Sequence, residues 1–141
     1  MSREEKTNGG GGAGGFPTRL LWLLPVPVVA LVVLGTRLGW WWLPVSVMLV
    51  VSAVTYGLFA SDKRRAQSGT WRISEATLHL FELAGGWPGA VLAQQRLRHK
   101  SSKGSYRFVL WVIIVAHQYL AVDFLLGWKV ARWVTVLIGG L

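Results

Sequence analysis

Three long apolar runs leave this chain few folds to adopt. They are Leu20 to Gly35, Gly39 to Ala60 and Phe108 to Trp128. A run of about 18 or more apolar residues is long enough to cross the hydrocarbon core of a bilayer as a helix. The second and third runs reach that length. The first is shorter and contains Pro25 and Pro27, but it lacks the small-x-small cleavage site of a signal peptide, so a retained helix is favoured. Only Gly35 to Gly39 separates the first two runs, which predicts an antiparallel hairpin. Six of the nine tryptophans stand near the ends of these runs, as Trp22, Trp40, Trp41, Trp42, Trp111 and Trp128. Indole favours the bilayer–water interface, where its ring is apolar and its N–H stays wet.

The net charge of +9 is concentrated between the second and third runs. Positive charge beside apolar spans is explained by membrane topology more simply than by nucleic acid. With no cysteine, a disulfide framework, a thiolate metal site and a cysteine nucleophile are all excluded. Residues 1–18 are polar and then glycine-rich, a composition that cannot bury enough apolar area to offset ordering entropy. They are expected to form a disordered tail, and residues 19–141 a single membrane domain with a motif-bearing cytoplasmic segment at 56–107.

Helix two is expected to end near Ala60, opening a polar linker with Asp62, Lys63, Arg64, Arg65 and Arg72. Short basic loops stay cytoplasmic, which puts this linker and the amino terminus inside and Arg37 outside. Ser74 has the chemistry of a helix N-cap, with Glu75 at the positive end of the dipole and Ile73 and Leu78 at staple spacing. That helix is expected to stop at Gly85–Gly86, and Pro88 to open another reaching about Leu97. Residues 76–97 could be one spanning helix or two half-helices that enter and return. The second arrangement keeps both basic segments on one side and is favoured. Broken helices at depth require protein or a cavity to cover their free backbone groups. The third run then exits, with Asp123 near its far end where a carboxylate can reach water, and residues 129–141 form an interfacial tail helix.

Glu75, His79 and Glu82 share one helical face. A histidine flanked by carboxylates can bind a metal or move protons. Here it reads more simply as a wet face pairing with Arg72 or the basic cluster, and no metal ligand set or catalytic residue is assigned. Arg96, Lys100, Lys103 and Arg107 recur at helical spacing, interleaved with Arg98 and His99. Such juxtamembrane clusters attract anionic headgroups by roughly 1 kcal/mol per charge. Gly85-x-x-x-Gly89, followed by Ala93, is a row of small residues that lets helices approach closely. Gln94 and Gln95 are the only polar lining for a permeation pathway, which is too little for one.

The ordered set Tyr56, Asp62-Lys63, Ala66, Arg72-Ile73, Glu75, Leu78, Gly85-Gly86-Trp87-Pro88-Gly89-Ala90, Gln94-Gln95, His99-Lys100 and Lys103 resembles a bacterial family. It is the small membrane-protein family catalogued as domain of unknown function 1294, and the likeness covers roughly residues 45–125. Some members are similar in carrying a cold-shock domain ahead of the membrane part, where this chain has its glycine-rich tail. The resemblance implies an integral bacterial membrane protein with a motif-bearing cytoplasmic face, and it brings no established activity.

These readings combine into an all-α, polytopic transmembrane helical protein of the bacterial cytoplasmic (inner) membrane. It has about three spanning helices and a Gly-Pro-broken re-entrant or interfacial helix pair. The expected role is that of a non-enzymatic accessory or interaction protein. Lys63, Arg64, Arg72, Arg96, Arg98, His99, Lys100 and Lys103 would bind anionic headgroups or a partner. Tyr56, Asp62, Glu75, Glu82, Gly85, Gly86, Pro88 and Gly89 would act structurally or by pairing. Expected partners are membrane lipids, with a membrane-protein partner or a second copy as further candidates; nucleic acid is disfavoured and no cofactor is expected. The alternative is a membrane enzyme acting on a lipid-phosphate or amphipathic substrate through His and Glu, with a transporter or channel third.

Overall fold

A computed structural model of the protein describes residues 18–71, 73–97 and 104–139. The glycine-rich tail expected over residues 1–18 falls outside them except at Thr18. A 3₁₀ turn over Thr18–Leu23 leads into α1 (Pro25–Arg37). Pro25 occupies the first helical position, where its missing N–H costs nothing, so the proline pair starts the α-helix and does not interrupt it. Then follow α2 (Leu43–Gln67), α3 (Glu75–Phe81), a π-turn (Glu82–Gly86), α4 (Trp87–Leu97), α5 (Gly104–Leu125) and α6 (Lys129–Gly139).

The fold is all-α among the described residues, and Arg19–Arg37, α2 and α5 are each long and apolar enough to cross a membrane. Much of their apolar surface faces outward, with Val47, Leu49, Val50, Phe108, Val112 and Val115 all exposed. Such a surface is compatible with a membrane protein. The Arg37 guanidinium lies 5.4 Å from the centre of the Phe124 ring, so α1 and α5 end at the same level. They run parallel, with α2 antiparallel to both.

α2 continues to Gln67, past the boundary expected near Ala60. Lys, Arg, Ala and Gln are all good helix formers, and nothing obliges a helix to stop where it becomes polar. It stops where Gly69 takes φ +66°, and Thr70 N–H closes on the Arg65 carbonyl at 3.1 Å. Asp62 and Lys63 therefore sit on a rigid helix and not in a linker.

From that helix end, α3 and α4 form a pair that descends and returns. Ile73 N–H donates to Asp62 Oδ1 at 2.9 Å, fixing the start. Ser74 caps α3, its Oγ accepting from Thr77 N–H at 3.1 Å. At the tip, Gly85 lies beside Met48, about 21 Å down α2 from Asp62 at 1.5 Å per residue. Gly85 holds φ +103°, a conformation that glycine reaches without strain and that turns the chain back. α4 ascends along α2, and the Leu97 carbonyl accepts from Lys63 Nζ at 2.8 Å. Both ends of the pair are tied to consecutive residues of α2, so residues 76–97 run down along α2 and come back to the level where they began.

Gly86 and Gly89 let α4 lie directly on α2: a Cβ at Gly86 would overlap Thr55 Oγ1, and one at Gly89 the Ser52 carbonyl. The close-packing row thus begins at Gly86, one residue later than the expected Gly85. Gly57, also on α2, has open space where a Cβ would stand. Two alanine substitutions should therefore differ in sign in thermal unfolding measured in detergent. Gly89→Ala should lose about 1–3 kcal/mol by overpacking. Gly57→Ala should gain about 0.5–1 kcal/mol by removing backbone entropy. Equal tolerance at both sites would contradict the close approach.

Candidate functional site

The most heavily built polar site lies where the helix pair meets α5. Glu82 opens the π-turn and is completely buried. Tyr106, in the first turns of α5, donates its hydroxyl to Glu82 Oε1 at 2.5 Å. His79 Nδ1 lies 2.6 Å from Glu82 Oε2, and the imidazole stacks on the Tyr106 ring with centroids 4.1 Å apart. Phe59 of α2 closes the cluster, edge-on to Tyr106. With Glu82 ionised, His79 carries its proton on Nδ1 and both carboxylate oxygens are hydrogen-bonded.

This geometry overturns the reading of Glu75, His79 and Glu82 as a wet helical face. Glu75 and His79 are half-buried, whereas Glu82 points into the protein. Glu82 still shares a face with His79, three residues before it, but that face turns inward onto Tyr106 and not towards water. Tyr106 was not found from the sequence. It stands at the polar edge of an apolar run, where tyrosine ordinarily reads as an interface anchor.

Asp62 is as deeply buried as Glu82 and holds the start of the pair. Lys63 caps the end of α4, a cation on the negative pole of a helix. Tyr56 and Arg96 border a small groove over Ser52 and Gly89. Arg64 and Arg96 are exposed at the same end of the molecule, and Pro88 and Gly89 are buried at the start of α4. Arg72, Arg98, His99, Lys100 and Lys103 lie outside the described residues. Gln94 is fully buried, and among the described residues neither amide atom finds a hydrogen-bond partner.

Asp123 also departs from expectation. It is buried, and its carboxylate accepts from Val130 N–H at 2.8 Å and Ala131 N–H at 3.1 Å, satisfying free donors at the start of α6. It therefore orients α6 and does not reach out to water. α6 carries Lys129, Arg132 and Thr135 on one side and an exposed apolar set of Trp133, Val134, Leu137 and Ile138 on the other.

A family model described as "Protein of unknown function (DUF1294)" matches residues 52–106. The uncharacterized protein YsdA of Bacillus subtilis (strain 168) is 30% identical over 73 residues, covering 52% of this chain and 82% of that protein. The chain belongs to this family. No solved structure matches it. The part shared with the DUF1294 model has a structural meaning here. It starts at Ser52, whose carbonyl underlies Gly89, and ends at Tyr106, the phenol on Glu82. It thus comprises the helix pair together with the surfaces of α2 and α5 that hold it.

Tyr106→Phe keeps the ring contacts and removes one hydrogen bond to a buried carboxylate. The expected loss is about 1.5–3 kcal/mol in unfolding free energy. A change below about 0.5 kcal/mol, the range of an inconsequential surface substitution, would show that the bond does not lock α5 to the pair.

Proposed function

We propose that this DUF1294 protein is an integral protein of the bacterial cytoplasmic membrane whose basic end engages anionic lipid headgroups. It would serve as a non-enzymatic accessory or interaction protein, with its amino terminus on the cytoplasmic side. The observation that carries this reading is the attachment of both ends of the helix pair to Asp62 and Lys63. The last turns of α2 and the end of α4 then lie side by side. Lys63, Arg64 and Arg72 would join Arg96, Arg98, His99, Lys100 and Lys103 in one basic surface.

The positive-inside tendency favours the cytoplasmic side for such a surface. Each charge near an anionic leaflet contributes roughly 1 kcal/mol. The enzyme alternative draws on the Glu82–His79–Tyr106 cluster, but a buried, substrate-sized cavity lined by both histidine and carboxylate is what it requires. The two cavities described contain neither His79 nor Glu82. The cluster is better understood as the lock between the pair and α5.

The test uses bilayers containing spin-labelled phosphatidylglycerol or phosphatidylcholine. The native protein should immobilise phosphatidylglycerol preferentially. Replacing Lys100 and Lys103 by glutamine should reduce that preference several-fold, and raised salt should reduce it further. An unchanged preference in the double variant would remove the basis for the proposal.

A further inference from the structure

Below the tip of the helix pair, on the side away from the basic end, lies an apolar groove of about 670 Å³. Gly85 and Trp87 roof it at mid-bundle, α1, α2 and α5 wall it, and Phe124 and Trp128 stand at its far end. The imidazole in the lining, His117, is turned back onto its own helix, with Nδ1 2.8 Å from the Ile113 carbonyl. The volume falls within the roughly 300–1,000 Å³ typical of small-ligand sites.

Next to the far end stands a cation. Arg37 lies over the face of Phe124, and among the described residues no carboxylate pairs with it. An apolar groove ending beside an available guanidinium has the chemistry to receive a phospholipid, with the tail inside and the phosphate at the mouth. We infer that the groove is a seat for one acyl chain of an anionic phospholipid from the leaflet opposite the basic surface, with Arg37 engaging its phosphate.

This inference rests on the chain being membrane-embedded, but not on headgroup binding at the basic end. Inside a bilayer the tail gains nothing from leaving water, so selectivity has other sources. An unfilled groove forfeits dispersion contacts along its whole lining, and an acyl chain restores them. The guanidinium binds phosphate through directed, charge-assisted hydrogen bonds, which orients the lipid. The tip of the helix pair sets how far the tail can rise.

Native mass spectrometry of the full chain, extracted from membranes in mild detergent, is the test. The expected result is one retained phospholipid per chain, enriched in phosphatidylglycerol over phosphatidylethanolamine. Ala121→Phe, which fills the groove, should lose the adduct while circular dichroism keeps its helical signal. Arg37→Gln should lose the headgroup preference, and replacing Lys100 and Lys103 by glutamine should leave the adduct in place.

If Ala121→Phe does not fold, brominated-chain phosphatidylglycerol added to the delipidated native protein decides the matter. Trp87 and Trp128 line the groove, so quenching of tryptophan emission should saturate near one equivalent. Absence of a saturable phase would overturn the inference. So would a native protein without lipid, or an adduct lost only in the Lys100 and Lys103 variant. Recovery of the protein in the soluble fraction after a carbonate wash would instead defeat the membrane reading itself, and this inference with it.

Discussion

Two neighbouring side chains on α2 hold both ends of the helix pair. Asp62 accepts from the backbone where the pair begins, and Lys63 donates to the backbone where it ends. Successive residues on a helix point about 100° apart, so one short stretch of α2 can reach α3 on one side and α4 on the other. This attachment requires α2 to stay helical past its apolar part, and Gly69 closes it only after Arg64 and Arg65 have been included. The position of the tip and the burial of Glu82 both follow.

Chain that reverses direction inside a bundle must satisfy its own backbone and find room. The π-turn and the positive φ of Gly85 make the reversal, and the missing side chains of Gly86 and Gly89 provide the room. Glu82 then sits at a price, since a buried carboxylate stripped of partners costs several kcal/mol. Tyr106 and His79 supply hydrogen bonds to it, and Tyr106 does so from another helix. The polar cluster thereby joins the pair to α5 and specifies one packing. Asp123 works similarly at the opposite end, where it joins α5 to α6 through backbone amides.

Local signals were legible in the sequence, whereas long-range ones were not. Ser74 as a cap, the stop at Gly85–Gly86, Pro88 opening α4 and the end of α4 at Leu97 all depend on chemistry within a few residues. The return of the pair was readable from the placement of charge on both sides of it. The extension of α2 is not legible, because a change from apolar to polar residues looks the same whether or not the helix ends there. The Glu82–Tyr106 bond joins residues 24 positions apart across a π-turn, and no helical wheel reports such a meeting. Asp123 reads as a solvent-facing carboxylate in the sequence because its partners are backbone N–H groups, which carry no side-chain signature.

The return of the helix pair is tested most directly by topology, and the absence of native cysteine makes the experiment clean. Single cysteines at Ser68, Ser102 and Thr36, each in its own variant, would be exposed to a membrane-impermeant thiol reagent on intact cells. Ser68→Cys and Ser102→Cys should both stay protected until lysis, while Thr36→Cys, in the exposed last turn of α1, labels from outside. Labelling of Ser102→Cys from outside, with Ser68→Cys still protected, would mean that residues 76–97 cross the membrane. Neither the attachment of both ends to Asp62 and Lys63 nor a single basic surface could then stand.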